Sequence, residues 1–270
     1  MNAADSTRVF ANGIWKSGNN LLLKLLTKAG LPPPAASLSS GGVQDQGAFF
    51  LHRTLSKINF AQGIRVGLET DDCLPHWYVA ARLRPKGPRM VSGHTQHSDE
   101  LERLLQRMNF HTICIVRDPR DVLVSYAKWI PTRPDHFTHT WLAPMEFEQR
   151  IDSLLEGNRQ LGFASFSVVL DRMAPWIDSR STTTLRFEDL VGTSGGGSDE
   201  ARNTAIAELL TRLEIEGDAA KIAEGLHGGT KTFRRGKINA WASELTADSR
   251  QSIINFLGAN RFDRWGYCVE

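Results

Sequence analysis

One stretch, Arg8 to Lys28, constrains the fold more than any other. Arg8–Trp15 reads as a short apolar strand and Asn20–Lys28 as a helix whose leucines cover one side, with Lys16-Ser17-Gly18-Asn19 at the turn between them. A strand that feeds a helix through a short polar turn commits the chain to a layered α/β architecture, in which helices cover a buried sheet.

The rest of the sequence repeats that alternation. Arg89–Ser92 reads as a second strand, Ser98–Met108 as an amphipathic helix, and His111–Val116 as a third strand of β-branched character. A further helix opens at Asp118-Pro119 and runs to about Trp129: Asp118 suits the N-cap, Pro119 the first helical position, and Asp121 lies in the first turn, where the helix dipole favours a carboxylate. Glu146–Leu161 has helical periodicity, Thr182–Phe187 reads as a strand, and helices are expected over Asp199–Leu213 and Thr246–Leu257. Leu31–Gly47 and Pro131–Pro144 read as long irregular loops, and the Gly/Ser run Gly192–Ser198 as a mobile loop. The expectation is one α/β domain over residues 1–270, three layers deep around a central, mainly parallel sheet.

Composition narrows the partners. Lys plus Arg number 32 against 30 for Asp plus Glu, so the balance gives no reason to expect nucleic acid or an anionic membrane as partner, and any anion site must be local. Met1–Thr7 lacks a basic and an apolar region of the signal-peptide kind, and no apolar run approaches the ~20 residues that span a bilayer. The three cysteines, Cys73, Cys114 and Cys268, fit neither a disulfide framework nor a zinc site, which points to the reducing cytoplasm.

Three segments carry anion chemistry. In Trp15-Lys16-Ser17-Gly18-Asn19-Asn20 the unpaired N–H groups of a helix start meet the charge of Lys16 and the hydroxyl of Ser17. The order of residues differs from the Walker A loop, because Gly18 follows the Lys-Ser pair. In Ile115–Tyr126, Arg117 stands at the carboxyl end of a buried strand, where open α/β sheets bind ligands, and Ser125 lies about two turns along the next helix. Phe233-Arg234-Arg235-Gly236-Lys237 is a compact basic turn ahead of Trp241. Taken singly, each is equally an ordinary capped turn, a paired arginine or a solvated basic run.

Together and in this order, the segments resemble the sulfotransferases that use 3′-phosphoadenosine 5′-phosphosulfate (PAPS), over nearly the whole chain from Arg8 to Trp241. The family's PKSGTTW loop stands here as WKSGNNL, its 3′-phosphate segment as VRDPRDVLVSY, and its RKGxxGDW element as Arg234 to Trp241. Arg186-Phe187-Glu188-Asp189-Leu190 is similar to the family's YEDL strand end, with Phe187 in place of the tyrosine near the adenine. The resemblance implies that Lys16, Ser17, Gly18, Asn19 and Asn20 hold the 5′-phosphosulfate, and that Arg117, Ser125, Arg234, Arg235 and Gly236 hold the 3′-phosphate. It also implies adenosine 3′,5′-bisphosphate (PAP) as product and no metal.

The family's catalytic histidine follows a strand, and Val91-Ser92-Gly93-His94-Thr95 matches that segment, with Ser92 where the family has lysine. His94 would then take the acceptor's proton while Lys16 stabilises charge on the leaving phosphate. Two other readings share parts of the pattern, a Mg²⁺-dependent nucleotide kinase and a nucleotide-binding protein without catalysis. The expected partner is a small-molecule acceptor, with neither nucleic acid nor membrane, and oligomeric state is left open. Glu69, Asp71 and Asp72 precede Trp77-Tyr78, which suits a polar or cationic acceptor with aromatic contacts and equally a solvated acidic loop.

Overall fold

In a computed structural model the described residues are 6–38, 54–55, 58, 63–84, 87, 89–228 and 236–269. Strand β1, Val9–Gly13, is buried along its whole length. It is hydrogen-bonded in parallel to a neighbour on each side, which is why it reads as a nearly continuous apolar run and not as an alternating one. Alternate side chains enter opposite layers. Val9 and Ala11 pack with Leu22, Leu25, Leu26, Ile113, Ile115 and Leu185, whereas Phe10 packs with Val91, Cys114 and Val116 on the other face.

Among the described residues the main sheet has five strands, and all of their recorded pairings are parallel. Beyond β1 its members are β2, Ala36–Ser37; β5, Met90–Ser92; β6, His111–Val116; and β7, Thr182–Arg186. The α/β class with a central parallel sheet is therefore as the sequence predicts. The register aligns the strand ends: Ala11 pairs with Ser92, Gly13 with Ile115, and Val116 with Arg186. The segments that follow, Ile14–Gly18, Gly93–His94, Arg117–Asp118 and Phe187, thus emerge along one edge. With β5 and β2 on one side of β1 and β6 and β7 on the other, this edge is the switch point of the sheet, where such folds bind ligands.

Several boundaries differ from the sequence reading. Leu31–Gly47, expected to be irregular, supplies edge strand β2; Ala36 pairs with Val91 and Ser37 with Ser92, while residues 39–47 lie outside the described set. A two-residue strand after three prolines has no periodicity to read, and only its partner defines it. Residues 63–75 form a small antiparallel hairpin, β3 (Gly63–Arg65) against β4 (Cys73–Pro75), followed by a helix, His76–Arg82. The acidic stretch Glu69–Asp72 is the tip of that hairpin. Within Pro131–Pro144, expected to be a loop, Ile130–Thr132 forms a 3-10 turn and His139–Leu142 a helical turn. The helix expected over Glu146–Leu161 is Phe147–Glu156 and stops at Gly157, and a helix unassigned in the sequence reading covers Phe166–Asp178. The Gly192–Ser198 run is anchored, with Gly195 buried and its carbonyl accepting the Ile238 amide at 3.0 Å.

The helix starts follow their caps. Asp118 accepts the Arg120 amide at 2.8 Å ahead of Pro119–Trp129, and Ser98 and Thr246 cap Asp99–Arg107 and Ala247–Leu257. The three cysteines are free.

Candidate active site

The turn leaving β1 is built for close approach. A side chain at Gly13 would place its Cβ 2.7 Å from the Ile115 carbonyl oxygen and 2.8 Å from Ser17 Oγ, so the residue must be glycine. Lys16 adopts φ 64°, a left-handed conformation uncommon for a lysine, and Gly18, at φ 114°, caps the Asn19–Lys28 helix without a side-chain bond. A Cβ on Gly18 would lie 2.7 Å from the Phe187 ring. The Leu21 and Leu22 amides turn back to the Gly18 carbonyl at 2.8 and 3.1 Å, and no acidic residue stands in the helix's first turn to compete with an anion there. The Ser17 hydroxyl is buried and donates to the Ile14 carbonyl at 2.6 Å, which commits it to the turn. Lys16 is half-buried, with Nζ 4.7 Å from the centre of the Trp129 ring.

His94 stands beside this turn. Its Nδ1 is 2.7 Å from the Gly13 carbonyl oxygen. A carbonyl can only accept, so Nδ1 carries the proton and Nε2 keeps its lone pair. Asn19 donates to the Gly93 carbonyl at 2.8 Å and touches His94 Nδ1 at 3.2 Å, which ties the helix start to the same segment. Asn12, buried at the end of β1, clamps the next residue from both sides: its Nδ2 donates to the Thr95 carbonyl at 2.9 Å and its Oδ1 accepts the Thr95 amide at 3.0 Å. Burial, aided by the charge of Lys16 and opposed by the Gly13 hydrogen bond, holds the His94 pKa below its ordinary value and keeps the ring neutral.

Arg117 joins three segments. Its Nη1 donates to the Lys16 carbonyl at 3.2 Å, its Nη2 to the Lys237 carbonyl at 2.7 Å, and the guanidinium lies 4.2 Å from the centre of the Phe187 ring. It forms a buried ion pair with Asp121 at 3.5 Å, and Asp121 in turn accepts the Trp241 amide at 3.0 Å. Burial raises the Asp121 pKa to about 6 against the opposing pull of Arg117. Gly236 is anchored by its carbonyl, 3.1 Å from His227 Nε2. Ser125 lies half-buried on the Pro119–Trp129 helix and Asn20 is exposed in the first turn of Asn19–Lys28. Arg234 and Arg235 lie outside the described residues.

By sequence, no family model and no curated protein matches the chain. Its backbone matches solved structures instead. Mouse sulfotransferase SULT7A1 complexed with PAP superposes with a TM-score of 0.60 at 14% identity, covering 95% of this chain and 84% of that one. A retinol dehydratase in complex with androsterone and the inactive cofactor PAP gives 0.59 at 14% identity, covering 97% of this chain and 81% of its own. The chain has the sulfotransferase fold.

Within this sulfotransferase fold the residues singled out from the sequence fall into two groups. Lys16, Ser17, Gly18, Asn19 and His94 cluster at the end of β1, and Arg117 and Phe187 stand beside them, with the Gly236–Trp241 segment drawn in through Lys237 and Trp241. The loop Pro131–Pro144, which the sequence reading sets at the border of the acceptor, contributes His136 to an aromatic cluster that includes Trp129, the ring beside Lys16. Trp15 stacks on Tyr126 with ring centres 4.3 Å apart, and on Phe166 at 5.4 Å; His136 packs on Trp129 at 5.2 Å. His136 Nδ1 accepts the Thr138 amide at 3.3 Å, and the Thr138 hydroxyl bonds the Tyr126 phenol at 3.1 Å. Burial, then the charges of Arg133 and His94, lower the His136 pKa to about 4. A run of aromatic and His residues in a long loop was the available signal, but it carries no period that says which of them face inward.

Proposed function

We propose that this chain transfers the sulfuryl group of PAPS to a hydroxyl or amine of a small acceptor by in-line displacement, with His94 as general base. The observation that carries the reading is the junction at the end of β1. There one carbonyl, Gly13, fixes the tautomer of His94, and one side chain, Asn19, joins that histidine's segment to the first turn of the helix whose amides receive an anion. The likeness to two structures that contain PAP supports the same donor.

The residues fit such a donor in two respects. Arg117 Nε is a buried donor without a hydrogen-bond partner, next to the expected 3′-phosphate end. At the other end the turn after β1 offers backbone amides, no acidic residue stands in the first turn of the Asn19–Lys28 helix, and Lys16 adds charge. Lys16 with the backbone of Ser17–Asn20 would hold the 5′-phosphosulfate; Arg117, Ser125 and Gly236, with Arg234 and Arg235, would hold the 3′-phosphate. Phe187 would stack beside the base. The donor supplies the sulfuryl group; the acceptor's O–H or N–H proton passes to His94 Nε2, and Lys16 and the turn amides stabilise charge on the departing phosphate.

The deciding experiment is thermal shift with PAP against AMP and ATP, followed by transfer from PAPS in EDTA. A rise in melting temperature selective for the 3′-phosphate, and turnover without divalent metal, are expected. Equal response to AMP, or activity only with ATP and Mg²⁺, would overturn the reading in favour of a kinase. Tight PAP binding with no transfer to any acceptor would favour a binding protein.

A further inference from the structure

The hairpin between β3 and β4 brings one carboxyl group to the acceptor side of this site. Gly67 forms a bridge with Thr95, the residue after His94, and the Gly67 carbonyl accepts Gln96 Nε2 at 2.8 Å. Two residues on, the Glu69 carbonyl accepts the Ala164 amide at 2.7 Å, which fastens the hairpin tip to the loop carrying Phe163. The tip is therefore held between the base and the aromatic wall of Trp15, Tyr126 and Phe163.

The three acids of the tip have different surroundings. Asp71 is exposed and paired with Arg172, and the same guanidinium donates to the Leu68 carbonyl at 3.1 Å and the Thr70 carbonyl at 3.0 Å. The carbonyl of Asp72 accepts the amides of Val66 and Gly67, both at 3.0 Å, closing the turn. Glu69 differs from both. Its Oε2 is buried and has no hydrogen-bond partner among the described residues. The neighbouring cation, Arg172, is already engaged. A buried carboxyl oxygen without a donor is unfavourable, and a donor from a ligand would relieve that cost.

Resting on the sulfotransferase reading above, we propose that Glu69 selects the acceptor: it binds the protonated amine of a small aryl-alkyl hydroxyl compound whose hydroxyl is presented to His94. The aromatic wall takes the ring and favours a cation near its faces, and the carboxylate takes the ammonium. Of the acids noted in the sequence, Glu69 is the one that acts; Asp71 and Asp72 shape the turn.

The test is isothermal titration of the full chain, with and without saturating PAP, using tyramine and 4-ethylphenol, which share a ring and hydroxyl and differ in the amine. Tyramine is expected to bind about tenfold tighter than 4-ethylphenol, and Glu69→Gln to bring the two within about twofold while PAP affinity stays unchanged. Equal affinities in the unsubstituted protein, no tyramine binding, or a preference that survives Glu69→Gln would overturn the proposal. Failure of PAP itself to bind would count against the donor reading alone, because the amine preference is still measured on the nucleotide-free protein.

Discussion

The Gly13 carbonyl oxygen and His94 Nδ1 lie 2.7 Å apart, so the last backbone acceptor of the central strand decides which nitrogen of the imidazole holds the proton. The first prediction follows from that pair. Under the proposed mechanism, replacing His94 by Ala removes the lone pair that would take the acceptor proton, and sulfuryl transfer should fall by about 10²- to 10⁴-fold with PAP affinity unchanged. Because burial and Lys16 hold the His94 pKa below its usual 6.5, the base stays neutral down to mildly acid pH. With an uncharged acceptor such as 4-ethylphenol, the midpoint of the acid-side decline in rate should lie below 6.5. A rate that halves near pH 7 or above would contradict the assignment.

Asn12 sets the position of the same base from one residue further back. Asn12→Ala removes one hydrogen bond to the Thr95 amide and one to its carbonyl, although the carbonyl keeps Trp176 Nε1 at 3.0 Å. A loss of about 2 kcal/mol in stability is expected, read by urea denaturation. Turnover should drop with little change in PAP binding, since the helix start is untouched. A variant with wild-type turnover would show that the Gly93–Thr95 segment is held well enough without it.

Arg117 links the turn after β1 to the Gly236–Trp241 segment, and its charge balances Asp121. Arg117→Ala would leave Asp121, whose side chain is fully buried, without its ion-pair partner. The cost should be about 3 kcal/mol in unfolding free energy, and PAP binding should weaken as well. Asp121→Asn in the same background should recover part of the stability and none of the PAP affinity. Recovery of both would mean that Arg117 acts through folding alone.

The turn after β1 and the helix starts beside it were legible in the sequence because their parts are local. A strand, a Lys-Ser-Gly turn and a leucine-faced helix are contiguous, and Asp118-Pro119 marks its own helix start. What could not be read is what tertiary contact creates. Asn12 looks like a polar interruption of an apolar strand until Thr95 is placed beside it, and β2 is two residues without a pattern. The helix Phe166–Asp178 contains Pro175, a residue that argues against helix in a sequence window, yet it lies near the end and Trp176 is buried beneath Thr95. Likewise Glu69 could not be told from Asp71 before Arg172, about a hundred positions away, was seen to engage one and not the other.

Glu69 also makes a prediction about stability that needs no substrate. Burial, opposed by its own backbone amide, then reinforced by Asp72 and opposed by Arg172, raises its pKa from 4.5 to about 7. A carboxyl whose pKa is raised on folding binds a proton more tightly in the native state. Its contribution is therefore full below pH 4.5 and is lost as pH rises through 7. Glu69→Gln cannot ionise and should escape that loss. The variant should match the unsubstituted protein near pH 5 and exceed it near pH 8 by on the order of 2 kcal/mol, or a few degrees in melting temperature. Asp121 is raised in the same sense but is present in both proteins, so it cancels from the difference. Melting curves of the pair at pH 5, 6.5 and 8 provide the check, and a difference that does not grow with pH would mean that the Glu69 carboxyl is ionised at neutral pH with its charge already satisfied.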